Sequence, residues 1–232
     1  MAQVPILLYI AFGLTTVLAV WLFCRAVPRR ALVVAAGLAL WLLGQGVLAL
    51  TGFYTNTHAL PPRLLLAVGP PLLVALLLVI TPRGRHLLAQ LWPDALTLFH
   101  VVRVPVEVVL FGLAQYRAVP TLMTFEGRNW DILTGLTAPL LYYLVFRRRQ
   151  LGRRALLVWN LVGLGLLVNI VAHAVLAVPS PLQQLAFEQP NVAVLYFPFG
   201  WLPAGVVPLV LVAHLAALWQ LRQPAWEPAG VA

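Results

Sequence analysis

The stretch "LFHVVRVPVEVVLFGL", residues 98–113, decides the fold, because it is apolar enough to cross a membrane and yet contains three ionisable side chains. A hydrocarbon core of about 30 Å needs about 20 apolar residues, and the run that includes this stretch extends over 94–116. His100, Arg103 and Glu107 are spaced i, i+3 and i+7, so they share one face of a helix. A charge that faces lipid is costly. The pattern therefore predicts a transmembrane helix whose polar face is turned into a bundle.

The composition of the whole chain agrees with a membrane protein. Of its 232 residues, 62% are hydrophobic and 9% are charged, whereas about 25% are charged in an ordinary soluble domain. The net charge of +9 does not indicate nucleic-acid binding, because the arginines stand at the ends of apolar runs instead of clustering on one solvated face. The expected partner is the lipid bilayer, and the expected location is a multi-pass position in the bacterial cytoplasmic membrane. The oligomeric state stays open.

Seven apolar runs are long enough to be spans, at 4–24, 31–54, 62–81, 94–116, 131–147, 155–178 and 197–221. The sequence thus predicts an all-α, seven-helix transmembrane domain over residues 1–222. A tail at 223–232, rich in proline and alanine, is expected to be disordered. The first span is expected to be retained rather than cleaved as a signal peptide, since its arginines follow it.

The orientation follows from the arginines, because cytoplasmic loops retain basic residues. Three arginines, with three acidic residues, fall in the loops on one side of the predicted spans. Eleven fall on the other side: Arg25, Arg29, Arg30, Arg83, Arg85, Arg147, Arg148, Arg149, Arg153, Arg154 and Arg222. This asymmetry predicts an external N-terminus and a cytoplasmic C-terminus.

The polar residues of the spans can be compared by depth, at about 1.5 Å per residue. Gln45, Glu107 and Asn169 each lie about 20 Å from the cytoplasmic end of their spans. His100 and His214 lie lower, at about 10 Å, and match each other in depth. The predicted ligand-binding residues are therefore these five and Arg103, on the second, fourth, sixth and seventh spans.

Arg103 and Glu107 are i, i+4 neighbours and are expected to neutralise each other. Pro105, which lies between them, cannot donate to the carbonyl of Val101, so a kink is expected beside the charges. Two interpretations are open for the pair. It is a functional polar site that meets a ligand or a proton, or it is a packing device that locks helices together in lipid.

Two predicted external loops are longer than a turn requires: "RAVPTLMTFEGRNWD", 117–131, and "PSPLQQLAFEQPNVAVLYFP", 179–198. They are expected either to cover the bundle as a lid or to rest on lipid headgroups. Their charged residues are predicted to form the outer mouth of the site: Glu126, Arg128, Asp131 and Glu188.

Composition excludes several chemistries. The chain has no lysine, so a retinal Schiff base is ruled out. Its single cysteine, Cys24, cannot form an intrachain disulfide or a thiolate cluster. A zinc hydrolase would need several histidines and a carboxylate at one depth, and no metal site is predicted. The first functional hypothesis is a membrane protein that binds or transports a small molecule, an ion or a proton at Arg103 and Glu107.

Two further hypotheses rest on parts of the same helix. The segment "RVPVEVVLF", 103–111, resembles the Pro-x-Glu-Glu stretch of the membrane lycopene cyclases, which implies an enzyme acting on a lipophilic substrate. In this chain Val108 stands where the second carboxylate of that stretch would be. The other alternative is haem or metal binding, with His100 and His214 as ligands from two helices.

Overall fold

The computed structural model describes residues 1 and 3–223. The tail that was expected to be disordered lies, from residue 224 onward, outside the described residues. Nine α-helices follow one another in this part, and no strand is present there. The prediction of an all-helical fold is confirmed. The helices are α1 (Ile6–Arg25), α2 (Ala31–Leu50), α3 (Leu65–Ile80), α4 (Pro82–Ala89), α5 (Pro93–Phe99), α6 (Arg103–Gln115), α7 (Ile132–Tyr142), α8 (Arg153–Ala177) and α9 (Val207–Leu221).

Five helical segments are long and apolar enough to cross a membrane, which marks the chain as a membrane protein. They are Ile6–Arg25, Ala31–Leu50, Pro93–Gln115, Arg153–Ala177 and Leu202–Leu221. The two other predicted spans are shorter. The apolar helix Ile132–Arg147 joins α7 to a π-helical turn, and α3 is followed after one residue by α4 at an angle of 89°. The count of seven crossings and the orientation of the termini stay predictions.

The sequence did not predict α4, which replaces the expected loop after the third span. Thr81 is the N-cap of α4, and its Oγ1 accepts a hydrogen bond from the amide of Gly84 at 3.0 Å. Pro82 occupies the first turn, where a missing amide hydrogen costs nothing. A threonine followed by proline is a recognised start signal for a helix. The chain therefore turns a corner here rather than running freely.

Two segments form the centre of the bundle. In the most apolar 18 residues of each span, 72% of the residues are buried for Leu202–Leu221 and 61% for Pro93–Gln115. The share is 17–33% for the other three spans. Helix α1 packs on α5 and α6, whereas α8 and α3 pack on α9. The two central segments are those that carry His100, Arg103, Glu107 and His214, so these side chains lie inside the bundle.

The central Pro93–Gln115 segment changes geometry where Pro105 requires it. A 3₁₀ turn at His100–Val102 separates α5 from α6. Pro105 has no amide hydrogen to donate to the carbonyl of Val101, so the α-helical ladder is incomplete at this point. The irregular turn beside the charged residues is the one that carries His100. The Pro93–Gln115 segment continues through it as one span, and the kink expected at Pro105 stays a prediction.

The loop 117–131, which was predicted to be external, folds into the bundle instead of resting on its surface. Val119, Met123, Thr124 and Asn129 are at most 2% exposed. The carbonyl of Thr124 accepts from the amides of two later residues of the loop, which closes a tight turn. A Cβ atom on Gly127 would lie 2.5 Å from the carbonyl oxygen of Thr121, so this turn needs a glycine. We call residues 117–131 the plug loop.

Candidate functional site

Arg103 lies at the centre of a buried polar cluster and is 3% exposed. Its Nη1 atom lies 2.8 Å from Oδ1 of Asp131, the residue just before α7. The N–H is not aimed at that oxygen, so the contact is an ion pair without the alignment of a hydrogen bond. The same Nη1 donates a long hydrogen bond to the Gly163 carbonyl at 3.4 Å, and Nη2 donates to Nε2 of His214 at 2.9 Å.

The ion-pair partner of Arg103 is therefore not the one expected from sequence. Among residues 1 and 3–223, its only carboxylate within ion-pair distance belongs to Asp131, and Glu107 makes no such contact. Asp131 had been predicted at the outer mouth, but it is 7% exposed and lies inside the cluster. The apolar helix that follows Asp131, Ile132–Arg147, is about 24 Å long, less than the bilayer core. Its N-terminal end can thus lie inside the bundle, within reach of Arg103.

Glu107 takes its hydrogen bond from the plug loop. Nδ2 of Asn129 donates to Oε1 of Glu107 and also to the carbonyl of Met123, at 3.0 Å in the second case. Oδ1 of Asn129 accepts from the backbone amide of Asp131 at 3.2 Å. Asn129 and Glu107 are 1% and 2% exposed. One asparagine therefore connects the carboxyl group of Glu107 on α6 to the backbone of Asp131, the residue whose carboxylate pairs with Arg103.

The hydrogen bonds of His214 define which ring nitrogen carries its proton. A guanidinium group has only donors, so Nε2 of His214 accepts from Arg103. Nδ1 lies 2.9 Å from Oδ1 of Asn160, and the amide of Asn160 is oriented by its Nδ2, which donates to the Leu156 carbonyl at 2.9 Å. Nδ1 of His214 is thus the donor. The ring is neutral and connects Arg103 to α8.

His100 and His214 come together, as their matched depth suggested. Their rings stack with centroids 4.1 Å apart and an angle of 28° between the planes, and the ring of Trp159 packs edge-on against His100. Axial ligands of a haem iron approach the metal from opposite sides, each through a ring nitrogen. Two rings stacked face to face do not have that arrangement. The geometry of this pair therefore does not fit the haem alternative.

Two glycines allow the helices to close around these side chains. A Cβ atom on Gly163 of α8 would lie 2.7 Å from Cε1 of His214 and 3.0 Å from Cγ2 of Thr134. A Cβ atom on Gly135 of α7 would lie 3.1 Å from Cβ of Arg103. Small residues at such positions let transmembrane helices approach closely. The cluster is thus enclosed on the α7 and α8 sides by helix backbone.

Four buried polar atoms of the cluster have no hydrogen-bond partner within the described chain: Nδ1 of His100, Nε of Arg103, Oε2 of Glu107 and Oδ1 of Asp131. Oδ1 of Asp131 has the ion pair with Arg103, and the other three belong to the polar face of the Pro93–Gln115 segment. Buried polar groups without partners are costly, and in native proteins they call for an explanation. A pure packing device would satisfy its polar atoms internally.

The other predicted site residues lie away from this cluster. Gln45 accepts a hydrogen bond from the hydroxyl of Tyr54, and Asn169 donates to the backbone carbonyl of Arg128 at 3.0 Å. The predicted mouth residues Glu126, Arg128 and Glu188 are exposed. Val108, which stands where the lycopene cyclases have their second carboxylate, is also exposed, at 58%. Of the residues predicted from sequence, His100, Arg103, Glu107, His214 and Asp131 form the cluster.

Sequence reasoning missed Asn129 and Asn160. Asn160 lies about 7 Å from the start of the predicted sixth span, close to the depth estimated for the two histidines, so its depth could have made it a candidate. Asn129 carried no such signal, because it was assigned to an external loop. Only the fold of the plug loop brings it beside Glu107.

Comparison with known sequences gives one match. The model of a family described as "Domain of unknown function (DUF8737)" matches residues 60–222. This range contains the whole charged cluster and the plug loop. No curated protein and no solved structure matches the chain.

Proposed function

The chain belongs to the DUF8737 family, and from the geometry of the cluster in its matched range we propose that this membrane protein binds a proton at Glu107. We place it in the bacterial cytoplasmic membrane, with its N-terminus outside. Proton uptake and release at Glu107 would control the partner of Arg103 and, through it, the position of the plug loop. The observation that carries the proposal is the charge balance of the cluster.

The cluster contains one permanent cation and two carboxyl groups. Arg103, Asp131 and Glu107 are 3%, 7% and 2% exposed. The histidine in contact with Arg103 is neutral, because its Nε2 accepts a hydrogen bond. With both carboxyl groups ionised the cluster would carry a net negative charge, which is costly inside a membrane. A single bound proton makes the cluster neutral.

The hydrogen bonds favour Glu107 as the group that holds the proton. Asp131 lies against the guanidinium of Arg103, which stabilises its ionised form. Glu107 has one oxygen, Oε1, that accepts from Asn129, as the carbonyl oxygen of a protonated carboxyl group can. Its other oxygen, Oε2, has no partner within the described chain and can carry the hydrogen.

A proton fits this position better than a metal ion. Within residues 1 and 3–223, no group of three or more histidine, cysteine, aspartate or glutamate side chains is arranged to hold a metal. Arg103 already supplies a positive charge in contact with Asp131. A second cation would be repelled by the guanidinium at this short range.

Loss of the proton would provide Arg103 with two possible ion-pair partners, the carboxylates of Glu107 and Asp131. Glu107 follows Arg103 by four residues on α6, a spacing at which the two side chains can meet. Asp131, the present partner, stands at the end of the plug loop. Ionised Glu107 would therefore compete for the guanidinium and weaken the bond that holds the loop in the bundle. Such partner exchange is a common form of molecular switch.

Infrared difference spectroscopy on the protein in lipid vesicles tests the proposal. A protonated carboxyl group has a separate carbonyl stretch, and wild-type protein is expected to show one that titrates with pH. Glu107→Gln should abolish this band. Asp131→Asn should abolish it too, although Glu107 is still present, because the cluster is then neutral when Glu107 is ionised.

The control is Asp94→Asn, which removes a carboxyl group that is also buried, 4% exposed, on α5. It should leave the band in place. A band that survives in Glu107→Gln, or one that persists in Asp131→Asn, would refute the charge-balance argument. The absence of a titrating carboxyl band in wild-type protein would refute the proposal itself.

A further inference from the structure

An apolar groove lies between α3, α8 and the start of the Leu202–Leu221 segment, and none of the charged residues of the cluster lines it. Its enclosed volume is about 150 Å³, less than that of a closed pocket for a whole drug-sized ligand, so it is a shallow groove that can take part of an acyl chain. Its walls include Leu65, Leu72, Val171, Val175, Leu202 and Val207. Leu65, Leu72 and Val175 are 50%, 39% and 45% exposed. The groove therefore opens on the side of the helix bundle, the surface that faces lipid when these helices span a membrane.

The polar residues of the groove come from the loops next to one end of these helices. Arg63 precedes α3, and Ser180 and Asn191 follow α8. The guanidinium of Arg63 lies 4.8 Å from the centre of the Phe53 ring and donates to the Phe53 carbonyl at 3.2 Å. Within the described residues no carboxylate pairs with Arg63. The groove thus has an apolar body and a cationic end.

Asn191 adds a hydrogen-bond acceptor that the protein does not use. Its side chain is 0% exposed and lines the groove. Nδ2 donates to the Ala174 carbonyl at 3.5 Å, whereas Oδ1 has no donor within the described chain. A buried acceptor without a donor costs about 1–3 kcal/mol, so an external donor is favoured at this position.

We infer that this groove binds an anionic glycerophospholipid whose headgroup carries a hydroxyl group, such as phosphatidylglycerol. One acyl chain lies along the apolar walls, the phosphate lies at Arg63, and the headgroup hydroxyl donates to Oδ1 of Asn191. The bilayer supplies this ligand directly through the open side of the groove. The inference does not depend on protonation of Glu107.

The experiment uses the full-length protein in phosphatidylcholine vesicles with a small fraction of spin-labelled lipid, and measures the immobilised fraction by electron paramagnetic resonance. Wild-type protein should prefer phosphatidylglycerol to phosphatidylcholine. Arg63→Gln should reduce the association constant for phosphatidylglycerol about tenfold, the usual effect of losing a charge-assisted hydrogen bond. Arg128→Gln, which removes an exposed arginine outside the groove, should not change it.

Two further comparisons test the hydroxyl contact and the groove. Phosphatidylmethanol has the phosphate but no hydroxyl group, so it should bind more weakly than phosphatidylglycerol to wild-type protein and equally to Asn191→Leu. Val175→Trp should fill the groove and reduce immobilisation of every labelled lipid. Equal binding of phosphatidylglycerol and phosphatidylcholine, a preference that survives Arg63→Gln, or unchanged binding by Val175→Trp would overturn the inference. Equal binding of the hydroxyl-free lipid to wild-type protein would overturn the role of Asn191.

Discussion

The guanidinium of Arg103 lies 2.8 Å from the carboxylate of Asp131, so a residue of a central helix holds the end of the plug loop inside the bundle. Glu107, one turn from Arg103 on the same helix, binds the loop separately through Asn129. The plug loop is thus attached to α6 at two polar points. If the proposed proton is bound at Glu107, the two attachments respond differently to its loss.

The first prediction concerns the charges of the cluster. Glu107→Gln leaves Arg103 paired with Asp131, and Asp131→Asn leaves Glu107 to take its place, so each single change should be tolerated. The double variant leaves a buried guanidinium without a counter-charge. It should lose about 3–5 kcal/mol more than the sum of the single changes. Thermal melting of the purified protein in detergent measures the order of stability.

Adding Arg103→Met to the double variant provides the control. It removes the unpaired charge and should recover most of the lost stability, since an apolar side chain of similar length replaces the guanidinium. Additive effects of the two carboxyl changes would show that water reaches Arg103, and the burial of the cluster would then be contradicted.

The second prediction concerns the close approach of α8 to His214. Gly163→Ala places a methyl group within 2.7 Å of the imidazole, so it should destabilise the protein by about 1–3 kcal/mol. Gly165→Ala is the matched control on the same helix, because a Cβ atom there meets nothing within 4 Å. It should be neutral or slightly stabilising, since alanine favours a helix. Equal melting temperatures for the two variants would contradict the packing.

The third prediction separates the two asparagines of α8. Asn160→Leu leaves Nδ1 of His214 without its acceptor in a fully buried position, which should cost about 1–3 kcal/mol. Asn169→Leu removes a hydrogen bond from a half-buried side chain to the Arg128 carbonyl and should cost less. The comparison is made by thermal melts under identical conditions. A larger loss for Asn169→Leu would place the important polar layer nearer the outer surface.

The fourth prediction concerns topology, and its basis is the distribution of arginines between the loops. Reporter fusions after Arg85 and after Arg149 should indicate the cytoplasm, and a fusion near Glu188 should indicate the outside. The first two positions test the two shorter spans, the bent pair of α3 and α4 and the helix Ile132–Arg147. An external signal at either of them would remove the model of seven crossings.

The sequence predicts the depth of a site residue along its helix better than the direction in which its side chain points. Depth along a helix follows directly from residue offsets, and it correctly brought His100 and His214 together. The direction in which a side chain points around the bundle depends on how helices pack, which no single segment encodes. Gln45 and Asn169 share the depth of Glu107 and yet have partners elsewhere. Equal depth is therefore necessary for contact but not sufficient.

Loop structure was the other limit of prediction. Asp131 and Asn129 were assigned to the exterior because charged and amide side chains between apolar runs usually face water. The short Ile132–Arg147 helix and the tight turn at Gly127 bring them inside instead. Only the combination of a short helix, a glycine at a close contact and an inward-facing arginine gives this result, and each feature alone has other common interpretations.

The order of the cluster residues along the chain also affects how the protein is made. Asp131 and His214 follow α6 in the chain, so α6 leaves the ribosome before either of them, and Arg103 then lacks both of its later partners. Insertion of an arginine at the centre of a helix costs about 2.5–3.5 kcal/mol. Glu107, four residues away on the same helix, is the counter-charge available to the nascent chain at that time. The carboxyl group proposed to hold a proton in the finished protein therefore also lowers the cost of inserting α6.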